Sequence, residues 1–182
     1  MRFVIDMLSF AIPITLIYFI VRICLLKVFR ITWVREVLNI SFVLYISSLV
    51  FIVWLYYATQ TDYVLYNLIP FKTIIEYVQE FPSSTAIKNI VGNLAICMPF
   101  GFYYYFNLRI IPKINIAVYA VIIPVIIESI QLLMYFINLG MRAVDIDDVI
   151  LNCSGIIIAY YMTKSLFQKK RNPAKLRRTV GY

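Results

Sequence analysis

Glu128 and Gln131 stand three residues apart inside an otherwise apolar stretch, and Asp145, Asp147, Asp148 and Asn152 crowd the start of the next one. Asn89 and Asn93 lie four apart at the head of a third stretch. Carboxylates and carboxamides can orient a polar ligand, pass a proton, or hold a hard cation through oxygen. They supply no activated nucleophile, so no catalytic residue is assigned, and no cofactor is expected. The chain contains no histidine, and Cys24, Cys97 and Cys153 show no CxxC spacing. A zinc site of His and Cys and a Ser–His–Asp triad therefore have no basis. Each cysteine falls in an apolar run and reads as a small buried hydrophobe.

The elements that must position these groups are set by composition. Of 182 residues, 63% are hydrophobic, and the mean hydropathy is +0.85, well outside the range of a soluble domain. A bilayer core about 30 Å thick needs about 20 apolar residues in a spanning helix. Five runs meet that need, at about 5–26, 37–57, 90–108, 114–137 and 149–167. The expected fold is all-α, a polytopic membrane helical bundle of about five transmembrane helices over residues 1–168. Scarce glycine and segregated charge argue against a β-barrel. The first run, interrupted by Pro13, has no small-residue cleavage site after it and reads as a span, with Arg22 snorkelling to an interface. Trp54, Tyr56 and Tyr57 close the second run as an interfacial aromatic girdle.

Loop charges orient the spans. Arg22, Lys27, Arg30 and Arg35 mark the first connection, and Arg109 and Lys113 the third. Lys72, Lys88 and Arg142 in the second and fourth are outnumbered by Asp62, Glu76, Glu80, Asp145, Asp147 and Asp148. The positive-inside rule then puts the N-terminus outside and the C-terminus in the cytoplasm. The basic tail, 169–182 with Lys164 before it, reads as a solvated end that sets topology and can hold anionic lipid headgroups. It is too short a feature to indicate nucleic-acid binding.

Between the second and third runs, Phe71, Ile74, Ile75, Val78 and Phe81 recur at helical spacing, with Lys72, Glu76, Gln79 and Glu80 opposite. That pattern predicts an amphipathic helix over 71–81 lying in the outer interface. By rise along each helix, Asn93, Glu128, Gln131, Asp145, Asp148 and Asn152 all fall in the outer half of the bundle. Asp145, Asp148 and Asn152 share one face if the last helix begins early enough. Glu128 is the deepest. A charge at such depth costs about 3 kcal/mol on insertion scales, so it must be protonated or paired with a cation. Arg142 is the basic residue of the short fourth outer loop and the obvious partner for Glu128, though it could equally serve the neighbouring aspartates. Interhelical adhesion is the plain alternative for Asn93 and Asn152, and helix capping for Asn89.

At these residues the chain resembles a known family. Asn67-Leu68-Ile69-Pro70-Phe71, Gly92-Asn93 through Pro99-Phe100-Gly101, Glu128-Ser129-Ile130-Gln131 and Asp145 through Asp148, Asn152 and Gly155 follow in order. They are similar to the NLxPF, GNxxxFxPFG, ExxQ and DxxDxxxNxxG patterns of the VanZ-like family of bacterial integral membrane proteins, over about residues 63–161. Cys97 stands where a large apolar residue is usual and Cys153 where threonine is common. The resemblance implies a multi-pass protein of the bacterial cytoplasmic membrane and a phenotype class, teicoplanin-type glycopeptide resistance, more than a reaction.

The leading expectation is a non-enzymatic cell-envelope protein whose outward-facing polar pocket binds an amphiphilic or lipid-linked ligand, such as a glycopeptide antibiotic or a cell-wall precursor. Asn93, Glu128, Gln131, Arg142, Asp145, Asp148 and Asn152 are the candidate ligand-binding residues. Two alternatives are a membrane-embedded metal-dependent enzyme acting on a polyprenyl or phospholipid substrate, with carboxylates holding Mg²⁺, and a proton-coupled transporter built on Glu128.

Overall fold

The computed structural model describes residues 2–25, 33–56, 66–107, 115–137 and 144–168. Among these residues the fold is all-α apart from one two-residue strand pair. The helices are α1 (Arg2–Leu25), α2 (Trp33–Val50), α3 (Lys72–Gln79), α4 (Ser84–Asn107), α5 (Ile116–Phe136) and α6 (Ile146–Gln168). A π-helical turn over Phe51–Leu55 extends α2, and its signature is the Tyr56 N–H bonded to the Phe51 carbonyl at 2.7 Å. The strands β1 (Tyr66–Asn67) and β2 (Val144–Asp145) pair in parallel, with Asn67 opposite Asp145.

The helix starts are written in short polar residues. Asn115 caps α5, its side-chain oxygen accepting from the Ala117 N–H at 3.1 Å. Asp145 caps α6 in the same way, accepting from the Asp147 N–H at 2.8 Å. Ser83, after Pro82, accepts the first backbone bond of α4 from Ile87. Within the long helices, Thr15, Ser47, Ser48, Ser154 and Thr163 each return their hydroxyl to the carbonyl four residues back. That bond lets a hydroxyl sit in an apolar setting without a second partner.

Among the described residues, four helices are long and apolar enough to cross a membrane: Arg2–Leu25, Trp33–Leu55, Ile116–Phe136 and Ile146–Phe167. The third of the expected runs corresponds to α4, which is not one of the four. Asn89, Asn93, Asn107, Pro99 and the tyrosines at 103–105 dilute its apolar content. The exposure pattern is inverted relative to a water-soluble protein. Ile17, Ile20, Val121 and Leu133 are exposed, whereas Glu36, Asn107, Glu128, Gln131, Asp147 and Asn152 are buried. Polar groups turned inward behind an apolar exterior are what a lipid solvent selects. The chain is a multi-pass membrane protein.

Two compact units divide the chain, Met1–Thr73 with Val125–Asp147, and Ile74–Pro124 with Asp148–Tyr182. In the first, α1 packs on α2, and Arg22 meets Glu36 in a forked ion pair, with nitrogen–oxygen distances of 2.7, 2.9 and 3.1 Å. The Arg22 side chain is only 11% exposed, because Glu36 neutralises it locally. In the second, α4 and α6 approach at Gly101 and Gly155. A Cβ on Gly101 would lie 2.2 Å from the Ile156 carbonyl oxygen, and one on Gly155 would lie 2.1 Å from that of Leu94. Small residues at such crossings let two backbones touch where lipid gives no hydrophobic drive.

Candidate functional site

Three polar groupings carry the residues singled out by sequence. The first joins the turn before α3 to the start of α6. Pro70 and Phe71 occupy the middle of a turn in which the Lys72 N–H reaches the Ile69 carbonyl at 3.4 Å. Phe71 has φ 68°, the left-handed region, and among the described non-glycine residues it alone does. Proline followed by a left-handed residue is the layout of a type II turn, where glycine is usual. The Phe71 N–H is aimed at the Asp147 Oδ1, 2.5 Å away. Asn67 completes the clasp. Its Oδ1 accepts from the Ile69 N–H at 3.1 Å, while its Nδ2 donates to the Thr73 hydroxyl at 2.9 Å and to Asp145 Oδ1 at 3.0 Å.

The second grouping is Glu128 with Gln131, one turn apart on α5 and both buried. Turned so that its amide nitrogen faces the carboxylate, Gln131 donates to both Glu128 oxygens, at 3.1 and 3.2 Å. The third lies on α4 and α6, where the Asn93 amide donates to the Asp148 carboxylate. Asn152 follows Asp148 by one turn on the same face of α6. It is 4% exposed, and its Oδ1 is buried with no hydrogen-bond partner among the described residues. A buried acceptor without a donor forfeits about 1–3 kcal/mol.

These placements sort the candidates. Asp145 is a helix cap and a clasp residue, because α6 begins at Ile146, one residue after it. Asp147 and Asp148 occupy the first turn of α6, where the helix dipole favours acids. Asn93 and Asp148 join two helices by their hydrogen bond. Asn89 is not a cap, since α4 begins five residues earlier; it donates instead to the Tyr77 hydroxyl at 2.8 Å. Arg142, and with it the expected pairing to Glu128, lies outside the described residues, as do Tyr57 and the 169–182 tail. Cys97 is buried, and the Cys153 thiol donates to the Ala120 carbonyl at 3.0 Å. Cys24 is exposed on α1, contrary to the expectation for it, because so much of that helix faces outward.

Sequence reasoning passed over the part played by Asn67, Thr73 and Asp147. The signal was present in the Asn67-Leu68-Ile69-Pro70-Phe71 string, since asparagine two residues before a turn is an Asx-turn former. Among the described residues, no three His, Cys, Asp or Glu side chains come together as metal ligands.

A family model described as VanZ/LLP1 matches residues 42–168, well over half of the chain and wider than the stretch that the motifs alone delimit. No curated protein and no solved structure matches.

Proposed function

The chain belongs to the VanZ/LLP1 family, and from that premise we propose that it acts in the bacterial cytoplasmic membrane by binding an amphiphilic or lipid-linked ligand through outward-facing polar groups. The effect is on the cell envelope and its susceptibility to teicoplanin-type glycopeptides. In this proposal α4 is a fifth span, the N-terminus is outside and the C-terminus is cytoplasmic, with Asn93, Asp148 and Asn152 in the outer half.

The observation that carries the proposal is the Asn152 carboxamide. Its buried oxygen lacks a donor among the described residues, whereas the Asp148 carboxylate one turn earlier on α6 accepts from Asn93. An adhesive asparagine would be satisfied across a helix crossing. An acceptor held ready for a ligand hydroxyl or amide would not. Glu128 and Gln131 form a second buried pair able to take a polar group, and Arg142 would supply charge from the adjoining loop.

A metal-dependent reaction gains no support from the ligand arrangement described, and the transporter alternative rests on the Glu128 carboxylate alone. The test is made in cells whose glycopeptide susceptibility changes when the wild-type protein is expressed. Asn152→Leu, Asp148→Asn and Glu128→Gln are compared at equal membrane levels. The expected result is loss of the susceptibility change and of surface antibiotic binding in the first two. Wild-type behaviour in all three would overturn the proposal.

A further inference from the structure

Between Tyr66 and Phe81 the chain exposes one large apolar side chain after another. Leu68 is 68% exposed, Val78 61% and Phe81 65%, and Tyr66, Ile69, Phe71 and Ile75 are comparably open. In water such a run would be an aggregation site. Here α3 is eight residues long, about 12 Å by helical rise and far too short to span a bilayer. Phe71, Ile75 and Val78 form one strip of it, while Lys72, Glu76 and Gln79 are exposed on the other side. Tyr77 is turned instead to Asn89 of α4.

We propose that residues 66–81 are an interfacial anchor inserted into the boundary between headgroups and acyl chains of one leaflet, with the Asn67–Asp145–Asp147 clasp fixing its depth. The occupant of the exposed strip is lipid and not a second copy of the chain. The same class of side chain is exposed along α1 and α5, which are long enough to cross the bilayer, so apolar side chains left open on this chain are ones that lipid covers. The driving force is apolar burial. The segment carries Lys72 against Glu76 and Glu80, so it has no basic face for anionic headgroups to grip.

The clasp gives this insertion a consequence. Phe71 and Asn67 are bonded directly to Asp147 and Asp145, so the first turn of α6 lies at the headgroup level. Asn152, five residues past Asp147, is about 7.5 Å further along the same helix. This inference rests on the membrane reading and not on ligand binding, and each can fail without the other.

The test uses the full chain in phosphatidylcholine vesicles with and without brominated acyl chains. Val78→Trp is compared with Glu76→Trp after subtracting the signal of the wild type, which has Trp33 and Trp54. Ile75→Trp serves if Val78→Trp does not insert as a helical protein. The apolar-face variant is expected to be quenched about twofold or more by bromolipid relative to Glu76→Trp, and to resist aqueous acrylamide, as insertion of about 5–10 Å requires. High salt or added anionic lipid should leave that ratio unchanged. Equal quenching of the two variants overturns the inference. So does shielding of the strip that disappears when the protein is diluted in lipid, because a second copy would then be its cover.

Discussion

The Phe71 N–H donates to the Asp147 carboxylate at 2.5 Å, and Phe71 is held with φ at 68° while doing so. A left-handed conformation costs a residue with a Cβ about 1–2 kcal/mol. The buried carboxylate, accepting a backbone donor, offsets that strain. Phe71→Gly and Phe71→Ala both remove the ring, yet only glycine relieves the backbone. Phe71→Gly should therefore be the more stable of the two by about 1 kcal/mol in thermal unfolding of the detergent-solubilised protein. Equal midpoints would mean that the turn is not strained.

Gly101 and Gly155 are contact residues, whereas Gly92 has open space where its Cβ would be. Alanine at either contact position must push α4 and α6 apart, since the atoms met are backbone and cannot rotate away. Gly101→Ala and Gly155→Ala should each lose about 1–3 kcal/mol, as overpacking does. Gly92→Ala should be neutral or gain up to about 1 kcal/mol from helix propensity. Thermal melts of the three variants in one detergent check the ranking.

Arg22 and Glu36 neutralise each other between α1 and α2. Removing one partner leaves the other charge without its mate in an apolar setting, while removing both leaves neither. Arg22→Leu or Glu36→Leu alone should destabilise the α1–α2 pair more than the double substitution does. A double-mutant cycle on protease resistance of the reconstituted protein measures it, and additive effects would show that the pair is not coupled.

Hydropathy placed the long helices well, because twenty apolar residues in a row have few other uses. Their starts were less legible. The last helix begins at Ile146 and not near Val149, since Asp145 supplies a cap that a hydropathy profile reads merely as charge. The amphipathic period over 71–81 gave α3 at Lys72–Gln79, but nothing in a period reveals a clasp to residues more than seventy positions away. The same limit hid the Arg22–Glu36 pair. The motif residues were findable as a set. Which of them is a cap, a clasp, a helix-to-helix bond or a buried acceptor depends on contacts distant in sequence, because one residue type can serve all four.

Asn152 separates adhesion from ligand binding through stability. If its carbonyl oxygen is kept for a ligand, Asn152→Leu removes an unsatisfied acceptor and should raise stability, by about 1–2 kcal/mol without ligand. Were the side chain interhelical glue, the same change would lower the melting temperature. The apo protein melted in detergent beside the variant distinguishes the two.

Titration of the wild-type protein in lipid nanodiscs with a teicoplanin-type lipoglycopeptide, and separately with a lipid-linked wall precursor, puts the proposed function to its most direct trial. Saturable binding of one of them is expected, weakened about tenfold or more in Asn152→Leu, which corresponds to about 1.4 kcal/mol. Equal affinity in the wild type and in Asn152→Leu, or no saturable binding of either compound to the wild type, would contradict it.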